Sequence, residues 1–145
     1  MPLFTLGYEG AKIEDFLGVL CAQSVDVIVD VRQLPLSRKP GFSKGSFHKR
    51  ATAAGLDYIH APIFGCPKNI REKYKLDSNW NSYTVEFEKY LNDNYEIIVD
   101  LAKFVKDTNA CLVCFEKDYR NCHRGIIANY VDVLLKSQTI HLVVE

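Results

Sequence analysis

The chain has 145 residues and 16.5 kDa, a length that suits one α/β domain spanning 1–145. Its 48% hydrophobic and 25% charged residues match a globular composition and exclude a disordered or collagen-like chain. Eighteen basic residues balance eighteen acidic ones, so any electrostatic function must come from local clustering.

No apolar run approaches the ~20 residues of a membrane span. The opening MPLFTLGYEG has neither the basic flank nor the apolar stretch of a signal peptide, so no membrane partner is expected. Five cysteines is an odd number, and without a secretion signal a disulfide framework is not expected. The expected compartment is the reducing cytoplasm, where each thiol is packing, metal ligand or reactive group.

In chain order, Leu3 to Tyr8 reads as a strand, and the turn Gly7-Tyr8-Glu9-Gly10 follows it. This is not the G-x-G-x-x-G dinucleotide fingerprint, because the third glycine is missing. Ile13, Phe16, Leu17 and Leu20 then place one apolar stripe on a helix. Val25 to Val31 is a β-branched strand, with Asp30 and Arg32 two residues apart and able to pair. A long irregular segment, 32–45, holds Pro35, Pro40 and Gly41. From Arg32 to Arg50 there are six cations and no acid, in a chain that is neutral overall. Such a segment is either a solvated basic face or an anion-binding loop.

Ser46 to Ala54 reads as a helix and Leu56 to His60 as a third strand. Residues 61–79, with Pro62, Gly65 and Pro67, read as a loop containing one helical turn. Two helical faces follow, Tyr83, Phe87, Tyr90 and Leu91, then Ile98, Leu101, Ala102 and Val105. Ala110 to Phe115 is a buried strand, Ile127 to Leu134 marks the last helix, and Ile140 to Val144 is the final strand.

Alternating strands and helices imply a mostly parallel sheet of about five strands with helices on both faces, a three-layer α/β domain. In such sheets ligands sit at the carboxyl ends of the strands. There the segment LVCFEKDYRNCHR joins the fourth strand to the last helix. With Asn121 as N-cap, Cys122, His123 and Arg124 occupy the first turn, an anion-attracting position that lowers a thiol pKa. Cys122 is the candidate nucleophile. Neighbours on a helix point about 100° apart, which makes His60 a better-placed base for Cys122 than His123.

Cys114 and Arg120 have the spacing of cysteine-phosphatase loops, but the interval Phe-Glu-Lys-Asp-Tyr is too bulky and acidic to cradle phosphate. Cys111 and Cys114 sit three apart on a strand and face opposite ways, so they cannot share one metal ion. Four-ligand spacing among Cys114, Cys122, His123 and His60 is not apparent, and no metal or cofactor is expected.

These segments together resemble the family called domain of unknown function 488, small α/β proteins of bacteria and archaea. Thr5-Leu6-Gly7-Tyr8, Asp30-Val31-Arg32, Pro35, Ser37-Arg38, Pro40, Phe42, Cys114-Phe115-Glu116 and Cys122-His123-Arg124 carry the resemblance. Tyr119, where relatives often have proline, and Cys66, where a second glycine is common, depart from it. The resemblance implies the fold and supplies no reaction.

The expected site is a pocket at the carboxyl edge for a small anionic or phosphate-bearing ligand. Tyr8, Arg32, Ser37, Arg38 and Arg124 are expected to bind it, with Cys122, Glu116 and His123 as catalytic groups on a nucleotide or nucleic-acid-derived substrate. The alternative is a non-catalytic nucleic-acid or nucleotide binding module built on the basic 32–50 loop.

Overall fold

The structure is a computed structural model that describes residues 2–145. Its elements are β1 (Phe4–Gly7), α1 (Ile13–Ala22), β2 (Val27–Asp30), α2 (Lys44–Ala53) and β3 (Asp57–His60). They continue with α3 (Lys68–Asp77), α4 (Trp80–Asp93), α5 (Tyr95–Lys106), β4 (Ala110–Cys114), α6 (His123–Leu135) and β5 (Ile140–His141). The sheet order is β3-β2-β4-β1-β5, and every pairing is parallel. This is a three-layer α/β fold.

β4 lies at the centre, and all of its Ala-Cys-Leu-Val-Cys is buried because layers cover both faces. The two-residue alternation of a strand sorts its side chains. Cys111 and Val113 join Phe16, Leu20, Phe42 and Phe47 under α1 and α2. Leu112 and Cys114 join Phe87, Leu91, Ile98 and Ile127 under α4, α5 and α6. Right-handed crossovers require this division, since the chain runs outward from β1 through β2 to β3 and then returns through β4 to β5. The connections after β1 and β2 therefore leave over one face and the connection after β4 leaves over the other. A crevice opens between them at the strand ends.

Two local expectations are corrected. Residues 61–79 are not mainly loop: a 3-10 turn at Pro62–Phe64 leads into the ten-residue α3. Pro67 stands at its N-cap, where a proline breaks nothing. Its apolar face is only Ile70 and Tyr74, too few residues to show a period. The helix is held by tertiary aromatic contacts, Tyr74 with Trp80 at 5.7 Å and with Tyr83 at 5.2 Å.

The second correction moves the start of α6. Asn121 ends a 3-10 turn, Tyr119–Asn121, and Cys122 is itself the N-cap, in extended conformation with φ −137° and ψ 141°. Among the described residues, no helix is long and apolar enough to cross a membrane.

Candidate active site

The site forms where β4 ends. Cys114 faces the α4–α6 layer, the chain turns through Phe115, Glu116 and Lys117, and Cys122 returns at the head of α6. This turn is pinned against β1, with the Tyr8 amide donating to the Cys114 carbonyl at 3.1 Å and the Glu9 amide to the Phe115 carbonyl at 2.7 Å. Only glycine permits the approach at position 7, where a Cβ would lie 1.8 Å from the Glu116 carbonyl oxygen. Gly65 serves the opposite wall: a Cβ there would meet the Gln33 backbone at 2.5 Å.

Three donor atoms, Cys114 Sγ, Cys122 Sγ and His123 Nδ1, lie within 4.8 Å of one another. His123 Nδ1 is 3.7 Å from Cys114 Sγ and 3.9 Å from Cys122 Sγ. On the other side of the ring, Nε2 donates to the Val31 carbonyl oxygen at 2.8 Å. That bond fixes the tautomer, because it holds a proton on Nε2 and turns the basic Nδ1 toward the sulfurs. Glu116 completes the group, its Oε2 accepting from the Cys114 thiol at 3.6 Å.

The charges follow from this geometry. Burial opposes a thiolate at Cys122, but the neighbouring Cys114 thiol, the His123 contact and the nearby His123 and Arg124 charges hold its pKa well below that of an ordinary thiol. Burial likewise opposes an imidazolium, and contact with Cys122 outweighs it, raising His123. The adjoining Cys122, together with burial, pushes Cys114 far up. Burial and the Cys122 charge raise Glu116 to about 7. These shifts favour a thiolate at Cys122 and a proton on His123, with Cys114 as a thiol and Glu116 titrating near pH 7.

His123 therefore occupies the place expected of His60. The extended N-cap backbone of Cys122 releases the pair from the helical 100° rule, and the two neighbours converge. His60 faces elsewhere, bonding the Arg32 carbonyl through Nε2 at 2.8 Å.

The group lies at the floor of a cleft of about 620 Å³, within the range of small-ligand sites. Tyr8, Arg32, Ser37, Glu116, Cys122 and His123 all line it. Arg32 is already engaged: Nε and Nη2 grip both Asp30 carboxylate oxygens at 2.8 and 2.7 Å, and Nη1 reaches the Phe42 carbonyl at 2.7 Å and the Tyr8 hydroxyl at 3.2 Å.

The other two expected clamps are not in the cleft. Arg38 is solvent-exposed and absent from its lining. Arg124 is fully buried behind it, donating from Nη1 to the Glu116 carbonyl at 2.6 Å and from Nη2 to the Lys117 carbonyl at 3.3 Å. Its compensating groups are main-chain carbonyls, not Glu116 or Asp118 carboxylates. Arg120 pairs with Asp118 on the surface, so no phosphate loop forms around Cys114.

The cleft also has a wall that sequence reasoning missed. Arg71 and Lys75 of α3 stand one turn apart on it, beside Trp80 and Tyr83, whose rings stack at 4.6 Å. Arg71 is held by the Cys66 carbonyl at 3.0 Å and the Gln33 amide oxygen at 2.6 Å. Neither Arg71 nor Lys75 has a carboxylate partner among the described residues. A helical reading of 68–77 would have exposed this i, i+4 pair of cations. Cys66, buried on the same wall, has its thiol pushed up to about 11 by desolvation and is a poor nucleophile.

Fold and site define a three-layer α/β protein with a buried thiol–imidazole centre at the carboxyl edge of a parallel sheet. The chain belongs to the family described as domain of unknown function DUF488, whose model matches residues 12–131. No curated protein and no solved structure matches it.

Proposed function

We propose that the chain is an enzyme that uses the Cys122 thiolate as a nucleophile on a small substrate bearing a phosphate or similar anionic group. The observation that carries this is the Cys122–His123 pair, 3.9 Å apart at a cleft floor, with the far side of the imidazole tied to Val31. A positioned base beside a nucleophile is the minimum apparatus of covalent catalysis.

The thiolate attacks an electrophilic centre, forming a bond to sulfur as the bond to the leaving group breaks. The leaving atom takes the proton from His123 Nδ1, and the now neutral imidazole deprotonates the water that releases the product. Glu116, with its pKa near 7, is suited to relay a proton at neutral pH. Arg71 and Lys75, free of acidic partners, supply the anion contact that the 32–50 loop was expected to give. The stacked Trp80–Tyr83 face suits a flat ring such as a nucleobase.

Site-resolved alkylation with iodoacetamide across pH 5 to 9, on chelator-treated protein, tests the nucleophile. Cys122 is expected to label at pH 6 well ahead of the exposed Cys21. Equal rates at that pH would remove Cys122 from the reaction.

The exposed cations Arg38, Lys44 and Lys49 support a second reading, a nucleic-acid binding face away from the cleft. Affinity for a short oligonucleotide should then fall steeply between low and physiological salt, and a flat response sinks it.

A further inference from the structure

We infer that Cys114, Cys122 and His123 form a preorganised Cys2His site for zinc whose fourth position opens into the cleft. The inference uses the same sulfur as the proposed nucleophile but does not rest on that reading. The two sulfur-to-nitrogen edges already have the spacing of a coordination sphere. With zinc about 2.3 Å from sulfur and about 2.0–2.1 Å from nitrogen, a tetrahedral set has S···N edges of about 3.6 Å. The two observed S···N separations are 3.7 and 3.9 Å, and all three donors fall within 4.8 Å of one another. The remaining S···S edge of a tetrahedral set is about 3.8 Å, so admitting the ion asks the two thiols to settle at that separation.

The outer shell has the arrangement zinc sites use. A ligating histidine donates its other ring nitrogen to a carbonyl or carboxylate, which fixes the tautomer and raises the basicity of the metal-facing nitrogen. The bond from Nε2 to Val31 at 2.8 Å does this, and leaves Nδ1 on the sulfur side. Two thiolates and an imidazole select a borderline-soft ion over magnesium or calcium, which take oxygen ligands. Glu116, 3.6 Å from Cys114 Sγ, lines the same cleft, which supplies an entry path. Three protein ligands with one open position is the pattern of catalytic rather than closed structural zinc. Bound zinc would coordinate Cys122 and mask its nucleophilicity, so the loaded and metal-free forms are alternatives.

The experiment is titration of chelator-stripped, folded protein with cobalt(II), followed by competition with zinc. One equivalent should give the thiolate-to-metal charge-transfer band and the visible bands of a four-coordinate ion, and zinc should abolish both. Cys114→Ser and Cys122→Ser should each weaken binding by roughly 100-fold or more, since even an outer-shell change typically costs 10–100-fold. Glu116→Gln should weaken it much less. Circular dichroism shows whether each variant folds, and zinc protection of Cys122 from iodoacetamide in the unmutated chain gives a readout independent of any variant.

Absence of the charge-transfer band, or a band undiminished in a folded Cys122→Ser variant, overturns the inference. Fast Cys122 alkylation with no metal uptake overturns the zinc site and leaves the nucleophile standing. Metal uptake with sluggish Cys122 in the stripped protein does the reverse.

Discussion

Arg32 and Arg124, the two arginines buried among the described residues, are satisfied in opposite ways. Arg32 meets a carboxylate: Asp30 accepts from it twice, and the guanidinium lies over the Tyr8 and Phe47 rings at 5.3 and 5.6 Å. Arg124 meets no acid. It braces the carbonyls of Glu116 and Lys117, and its buried Nε has no partner. The first is a paired charge in the cleft wall, the second a strut that shapes the turn carrying Glu116. Arg32 spends its donors on Asp30, Phe42 and Tyr8, and Arg124 lies behind the cleft, so neither is placed as an anion clamp. Under the proposed function that role falls to Arg71, whose partners are an amide oxygen and a carbonyl and which pairs with no acid among the described residues.

The largest effect is expected from Asp30→Ala, which leaves Arg32 buried and unpaired and takes an acceptor from Tyr58. Urea unfolding should show a loss of about 3–5 kcal/mol, the scale for breaking one partner out of a buried pair. A loss under about 1 kcal/mol would mean that solvent compensates Arg32, and the contrast with Arg124 would vanish.

Arg124→Met keeps the volume but orphans two carbonyls, so about 2–3 kcal/mol of stability should go, on the scale of hydrogen bonds to charged groups. Should that variant stay stable yet lose phosphate binding, Arg124 is a ligand group after all. Arg71→Ala removes two part-buried hydrogen bonds and should cost about 0.5–1.5 kcal/mol of stability, less than Arg124→Met. Calorimetry with inorganic phosphate or a nucleoside monophosphate should show an affinity loss of about 1.5–3 kcal/mol. Arg38→Ala is expected to do least, with stability within about 0.5 kcal/mol and phosphate affinity unaltered. A drop in affinity there would return the basic loop to the cleft.

Period and punctuation carried much of this protein. The alternation along 110–115 placed Cys111 and Cys114 on opposite faces, and the core contains them in opposite layers. The strand ends pointed to the edge where the cleft opens, and the two-residue spacing of Asp30 and Arg32 allowed the pairing found between them. These are properties that one segment encodes by itself, because burial on one face writes a period into the residues that face it.

What only the tertiary structure decided are distances between segments. The segment 68–77 holds good helix formers but no apolar period, since only Ile70 and Tyr74 face inward, so Arg71 and Lys75 did not show as a cationic pair on one helix face. The single N-cap position of Cys122, set by the 3-10 turn before it, reversed which histidine it meets. Arg124 shows the same limit: its sequence neighbours Cys122 and His123 reach the cleft, while its own side chain runs behind the turn to two carbonyls. Side-chain chemistry is legible in a sequence, but which side chains meet depends on how separately encoded elements pack. One residue's shift in a helix start is enough to exchange one partner for another.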